Sequence, residues 1–419
     1  SLYGDAGNDT IFSGAGNDYI DGGANTNTID YTDVHNSSNV RVNLSLTNQT
    51  LSGTTTNTMT GATSAMTDTL ANIQNVNTGA GNDTIWGSDA EANVIKTGSS
   101  TDLVYMNTVN GSSIDGETGI DSVTYTGTTS LTVTVNNGNT SAIVAGNSKT
   151  DTLSNIENII AGSGDDTFNV SYVTNINTLD GGTGTNTLNL SGATLDLSTV
   201  KLLNFGTIGV AANQTLTLNA TDLDDKTMAI SLGANSILKV IATGTPSDHD
   251  FGGITTPSKG SGASMQLISN QSVDLSAKNL NSLFDTYSST SGTLTLSEAQ
   301  VIGKVVNGAG SAVVQVSANS STDFTSVLVL DTPANETISF TGNSTFTGDF
   351  GNSNVVVNSG VTLTATSSKT SGKSISGAGN ITLTDSSVSV SNINNVSAVT
   401  GVVTATVSAD TAANLNSAL

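Results

Sequence analysis

Cysteine is missing altogether, which removes disulfide bridges and thiolate metal sites from consideration. Basic residues are scarce: 11 Lys and Arg face 34 Asp and Glu, for a formal net charge of −23. Nucleic-acid binding needs clustered Lys and Arg and is excluded on charge, and the same balance argues against attraction to anionic lipid. No apolar run approaches the roughly 18 residues of a membrane helix, and no charged-then-apolar leader is recognisable after Ser1. Prolines number 3, aromatic residues make up 4% and charged residues 11%, while hydrophobic residues reach only 35%. So little apolar content can mean disorder. Here, however, Val, Ile and Leu recur in short alternating runs between Gly, Asn and Ser, the pattern of short strands and polar turns. At 419 residues the chain is long for one ordinary domain, so several units or one elongated repeat structure is expected.

What the sequence has in place of those features is a repeat. Gly4 to Phe12 reads GDAGNDTIF, Ser13 to Asp21 reads SGAGNDYID and Gly22 to Asp30 reads GGANTNTID. These three contiguous nonapeptides follow G-G-x-G-x-D-x-U-x, where U is a large apolar residue, here Ile11, Ile20 and Ile29. Ser1-Leu2-Tyr3 fits the tail of a further copy, so the sequence is expected to begin inside a repeat. The pattern returns at Thr78–Trp86 (TGAGNDTIW), Thr97–Tyr105 (TGSSTDLVY), Gly116–Thr124 (GETGIDSVT), Ala161–Asn169 (AGSGDDTFN) and Gly181–Asn189 (GGTGTNTLN). Two less regular turns between them place Ile95 and Ile114 at the apolar position.

Each nonapeptide should make one tight turn and one short strand, and two should complete a coil of a parallel β-roll. Glycine in the turn permits dihedrals closed to residues with a Cβ and exposes backbone carbonyls. Aspartate at position six adds a hard carboxylate, and an oxygen-only ligand set suits Ca²⁺. The apolar residue at position eight points inward but cannot be buried by one coil, so stacking and metal binding should be coupled. The expected metal-binding residues are Gly4, Gly7 and Asp9; Gly14, Gly16 and Asp18; Gly22 and Asn27; Gly79, Gly81 and Asp83; Asp102; Gly116, Gly119 and Asp121; Gly162, Gly164 and Asp166; and Gly182, Gly184 and Asn186. Residues two repeats apart should lie above one another, placing Asp9 over Asn27, Asp166 over Asn186, and Asp83, Asp102 and Asp121 in one column. Stacked carboxylates would repel without a cation between them. A lone Gly-Asn-Asp would mark no more than a turn; the tandem copies are what point to calcium. Asn27 and Asn186, standing where Asp is usual, are the weaker ligands.

These residues resemble the RTX family of secreted bacterial proteins. A second likeness lies in Met66-Thr-Asp-Thr-Leu-Ala-Asn-Ile-Gln-Asn-Val and Thr150-Asp-Thr-Leu-Ser-Asn-Ile-Glu-Asn-Ile, which look like the lead-in that precedes nonapeptide blocks in large RTX surface proteins. Upstream of each lies an Ile/Val-x-Tyr-Thr strand (Ile29–Thr32, Val123–Thr126) and a further alternating run (Val40–Leu44, Leu131–Val135), so two modules are expected to leave the roll and return to it. The resemblance covers about the first half of the chain. It implies calcium-triggered folding outside the cell after one-step (type I) secretion, although the C-terminal export signal of that pathway is not evident at Asn414–Leu419.

The fold expected is all-β: β-roll modules over residues 1–194 with inserted β excursions, then a β-rich solenoid or β-sandwich region over 195–419, in one or two subdomains. In that second region the strand-like runs include Thr215–Leu218, Ile237–Ile241, Thr293–Leu296, Ala312–Val316, Ser326–Leu330, Val355–Val357 and Val402–Val407. Leu280–Phe284 and Ala412–Leu419 are helix candidates, and Gly260-Ser-Gly-Ala-Ser reads as a flexible linker. Gly379–Val390 resembles, in composition, the polar β-rich body of S-layer and giant adhesin proteins. His35 and His249, the latter in Asp248-His249-Asp250, read as solvated loop residues. No G-x-S-x-G elbow or H-E-x-x-H occurs, and the Gly162/Gly164 pair lacks the third glycine of a dinucleotide fingerprint. The sequon at Asn8-Asp9-Thr10 falls inside a metal-binding turn. With no catalytic set, the expectation is a non-enzymatic surface protein that assembles with itself or meets cell-surface glycan. An adhesin extender is the alternative, and the calcium-binding part of a secreted hydrolase or toxin a third.

Overall fold

The computed structural model describes residues 1–33, 39–44, 55–60, 66–136, 142–242, 250–280, 283–330, 336–385, 396 and 398–405. Nearly all its regular structure is β, and it is a parallel β-solenoid. Two compact units are distinguished. The first takes in Ser1–Leu216, Met228–Ser236 and Thr256–Ser261; the second takes in Thr217–Thr227, Ile237–Thr255 and Gly262–Leu419. His35, His249, Asp248 and Ala412–Leu419 lie outside the described residues.

In the first unit each nonapeptide supplies one wall strand, successive wall strands alternating between two sheets, and the repeats at 97–105 and 116–124 add a short pair, Ser99–Ser100 with Thr118–Gly119. Thr10–Phe12 pairs in parallel with Thr28–Asp30, two repeats on, and Leu2–Tyr3 pairs with Tyr19–Asp21. Like stacks on like: Ile11 on Ile29, Ile95 on Ile114, Val104 on Val123, Phe168 on Leu188. Ile20, Ile29, Ile85, Ile95, Ile114 and Val123 are fully buried. Each such side chain is worth roughly 1.5–3 kcal/mol of burial, available only when a neighbouring coil covers it. The coil lengthens along the unit, from 18 residues at Asp9/Asn27 to 19 at Asp83/Asp102, 20 at Asp166/Asn186 and 22 at Asn213/Asn235.

The described strands of the two excursions pair into the walls of the roll. Strands Asn39–Asn43, Thr55–Thr60 and Met66–Ala71 form an antiparallel meander built into one wall, between Tyr19–Asp21 and Thr84–Trp86. Strands Thr132–Val135, Ala142–Gly146 and Lys149–Ser154 do the same in the opposite wall, between Ser113–Asp115 and Thr167–Val170. Three strands restore the original direction, so a parallel stack resumes on the far side. The walls also continue past residue 194: Lys201–Leu203 pairs with Thr178–Asp180, and Thr207–Val210 with Thr187–Leu190 and then Met228–Leu232. Loss of the nonapeptide signature therefore does not end the stack, because the wall needs only alternating apolar residues.

The second unit is likewise a parallel stack, not a chain of sandwiches. Strands Ile237–Ala242, Ser264–Ser269, Thr286–Ser289, Val305–Gly308 and Leu328–Leu330 form one sheet. Val273–Asp274, Thr293–Ser297, Ser311–Val316, Glu336–Phe340, Asn354–Val357 and Ile375–Gly377 form another. Phenylalanines fill its interior: Phe346 stacks on Phe350 at 4.1 Å, and Phe340 meets both edge-on. Leu280, Leu283 and Phe284 are buried in a segment with no helix among its described residues, Phe284 packing edge-on against Phe251 at 5.4 Å. The four-residue helices are instead Glu298–Val301 and Ser367–Thr370. In Gly260-Ser-Gly-Ala-Ser, Gly262 has φ +73 and lies in the turn after strand Ile254–Lys259 and before strand Ser264–Ser269.

Candidate metal centre

Position six of the repeats forms ladders along the edges of the first unit. The backbone N–H of each member donates to the side chain of the member one coil on. Asp83 donates to Asp102 Oδ1 at 2.6 Å, Asp102 to Asp121 Oδ1 at 2.9 Å, and Asp121 to Glu157 Oε2 at 2.7 Å. Likewise Asp9 donates to Asn27 Oδ1 at 3.0 Å and Asp166 to Asn186 Oδ1 at 2.9 Å, while Asp18, part-buried, donates to Asp68 Oδ1 at 2.9 Å. Two ladders begin at an apolar residue of an excursion: the Val40 amide donates to Asp83 and the Leu131 amide to Asp166.

The second carboxylate oxygen is where the chemistry lies. Asp83, Asp102, Asp121 and Asp166 are at most 1% exposed, and the buried Oδ2 of each, like that of Asp9, has no hydrogen-bond partner. The Thr78 hydroxyl, near Asp83, donates its proton to the Thr97 carbonyl at 3.1 Å, and Thr97 donates to that of Gly116 at 3.3 Å. A buried anionic oxygen without a donor is costly. Burial accordingly pushes all four carboxyls up, Asp102 to about 7 and Asp121 to about 6, with the neighbouring carboxylates Asp83 and Glu157 adding to the rise.

At Asp9 and Asp121 a turn glycine leaves space beside this oxygen. A Cβ on Gly4 would lie 2.8 Å from Asp9 Oδ2 and 2.6 Å from the Gly22 carbonyl; one on Gly116 would lie 2.6 Å from Asp121 Oδ2 and against the Asn155 carbonyl. Each glycine thus keeps open a cradle in which two oxygen acceptors, one carboxylate and one carbonyl, face the same point. Gly7, Gly16, Gly79, Gly119 and Gly184 have positive φ, as do Gly14 and Gly182; Gly81 is buried in the turn before Asp83. Gly162 and Gly164 instead pack against the Gly127 carbonyl and the Ser130 backbone. Among the described residues no three His, Cys, Asp or Glu side chains converge on one point, so any cation here must draw on backbone carbonyls. An all-oxygen set of that kind fits Ca²⁺.

Several ladder members escaped the sequence reading. Asp68 and Asp151 stand at position six, with Leu70 and Leu153 at position eight, in register with Ile20 and Ile114. Gln74 and Glu157 do the same before Val76 and Ile159. The signal was present: the D-T-L and E/Q-N-I/V of the lead-in are position six-to-eight triplets stripped of their glycines. Asp151 is not a metal candidate, since its Oδ1 accepts the amides of Asn110, Gly111 and Ser112 and its Oδ2 the buried Tyr125 hydroxyl at 3.0 Å.

Comparison with known families agrees with this geometry. The family model for the RTX calcium-binding nonapeptide repeat matches in four copies, over residues 1–29 and 73–91. No curated protein matches the chain significantly. The repeats at 97–105, 116–124, 161–169 and 181–189 lie outside the matched residues, yet share the same ladders.

Proposed function

We propose that this chain, whose residues 1–29 and 73–91 match the RTX calcium-binding nonapeptide repeat, is a secreted structural protein of the bacterial cell surface, folding and self-assembling with calcium into a lattice, sheath or fibre. The observation that carries this is the run of buried, partnerless carboxylate oxygens on Asp83, Asp102 and Asp121 in successive coils. At neutral pH such a stack opposes its own fold unless a divalent cation joins the coils, so calcium would act as the assembly switch. Asp9 with the Gly22 carbonyl, Asp121 with the Asn155 carbonyl, and Asp83, Asp102 and Asp166 are the residues that would hold it.

The solenoid is a structural scaffold, and the net charge of −23 and the Thr-, Ser- and Asn-rich walls suit an extracellular surface that calcium can bridge. Among the described residues no helix is long and apolar enough to cross a membrane. Electron microscopy of the concentrated protein, in millimolar calcium and after chelation, tests the reading. Sheets or fibres that form with calcium and dissolve without it are expected. Isolated rods that stiffen with calcium but never associate would instead make the chain an adhesin extender. No response to calcium would overturn the calcium-switch reading.

A further inference from the structure

Three turns of the first unit are built alike. Asp21, Asp115 and Asp180 each accept the amide two residues on, from Gly23, Glu117 and Gly182 at 2.9, 3.0 and 2.8 Å. Each also accepts, at 2.7 Å, the side-chain amide of an asparagine one coil away: Asn72, Asn155 and Asn204. Those three asparagines share the left-handed conformation, with φ of 55°, 51° and 59°, and that turn aims their carbonyls at the ladder. A glycine comes directly after each aspartate, and the position-six residue stands five further on: Asn27, Asp121 and Asn186.

The position-six residue is where their chemistry divides. A Cβ on Gly22 would lie 2.6 Å from Asn27 Nδ2, and one on Gly181 2.7 Å from Asn186 Nδ2; the corresponding atom beside Gly116 is Asp121 Oδ2, at 2.6 Å. The Asn27 side-chain amide donates to the Asn72 carbonyl at 3.1 Å and the Asn186 side-chain amide to the Asn204 carbonyl at 2.9 Å. Asp121 has nothing to donate to the Asn155 carbonyl. Its Oδ2 and that carbonyl are acceptors facing each other across the same space. The orientation of both asparagine amides is fixed by chemistry, since their Oδ1 atoms accept the Asp9 and Asp166 backbone amides.

The next ladder member repeats the contrast. The Asn27 backbone N–H donates to Gln74 Oε1 at 2.8 Å, whereas the equivalent bond from Asp121 ends on Glu157 Oε2 at 2.7 Å. The ladder therefore runs from a neutral Asn27 to a neutral Gln74 in one turn and from the acid Asp121 to the acid Glu157 in the other.

We propose that Asn27 and Asn186 are cation-free staples: their side-chain N–H groups take the place that calcium fills at Asp121, so these two coils close without metal while the coil at Asp121 waits for it. The proposal rests on the calcium reading above, and it assigns which turns are switched and which are permanent. Permanent closures at Asn27 and Asn186 would hold stacked coils in register before calcium arrives.

Calcium counting by isothermal titration and by metal analysis after dialysis tests this on the full chain. Asn186→Asp should bind one more calcium than the parent, and Asn27→Asp one more again when combined with it. Asp121→Asn should bind one fewer and keep more structure in chelator by circular dichroism. An unchanged count in the Asn→Asp variants, or loss of an ion in Asn186→Ala, would overturn the staples while leaving the calcium reading intact. A parent protein that binds no calcium would overturn both. If an Asn→Asp variant fails to fold even with calcium, the reciprocal Asp121→Asn decides, because an unchanged count there is equally fatal.

Discussion

One atom separates asparagine from aspartate, and in the ladders that atom decides whether a coil needs an external partner. Asp102 and Asp121 show the cost of withholding that partner. Burial lifts their carboxyls to about 7 and about 6, against roughly 4 for an aspartate in an unfolded chain. The fold thus holds these protons more tightly than the unfolded chain does. Their contribution to metal-free stability is fully present below about pH 4 and is lost as pH rises through about 6 to 7. Thermal melts of calcium-free protein across that range should show the midpoint falling with pH. Asp102→Asn, whose amide does not titrate, should flatten the profile; a wild-type midpoint that rises instead would refute the assignment. Calcium affinity should climb over the same interval, since the ion competes with those protons.

At the scale of the element, the lead-in segments show how a repeat can persist after its signature has gone. Thr152-Leu153-Ser154 pairs with Ser113-Ile114-Asp115, so Leu153 is the position-eight residue of a coil without turn glycines. It is fully buried, and Leu153→Ala should cost about 2–5 kcal/mol. Tyr125 closes the same coil by donating its buried hydroxyl to Asp151, and Tyr125→Phe should cost about 1–3 kcal/mol by leaving a buried carboxylate oxygen short of a donor. Urea unfolding in saturating calcium measures both; values near zero would mean that the buried contacts of Leu153 and Tyr125 do not hold this part of the wall. The excursions themselves were legible as alternating runs in Val40–Leu44 and Leu131–Val135. Their place inside the walls was not, because a strand's sequence states which face is buried but not which neighbour it pairs with.

For the molecule as a whole, the two units should answer calcium differently. Among the described residues, the position-six aspartates Asp9, Asp83, Asp102, Asp121 and Asp166, each with a partnerless oxygen, all lie in the first unit. Hydrogen exchange should therefore lose protection on chelation at Thr84–Trp86, Leu103–Met106 and Ser122–Tyr125, whereas Ser311–Val316 and Glu336–Phe340 of the second unit keep theirs. Equal loss in both would tie the second unit to the metal as well. The sequence alone determined the all-β class, the nonapeptide turns, the inward isoleucines and the calcium chemistry, since each is a local matter of glycine dihedrals, a carboxylate and a period. It also determined the vertical order of Asp83, Asp102 and Asp121, because a repeat of nearly constant length stacks equivalent residues. Only the tertiary structure decided that the stack runs on past the last nonapeptide, that the second half is a solenoid and not a set of sandwiches, and that Asp68, Asp151 and Glu157 join the ladders. Those outcomes depend on parallel pairing between residues a full coil apart, where coil length drifts from 18 to 22 and no fixed spacing remains to be read. The tertiary structure likewise decided what separates Asn27 from Asp121, because the carbonyl each one faces comes from an asparagine in the next coil.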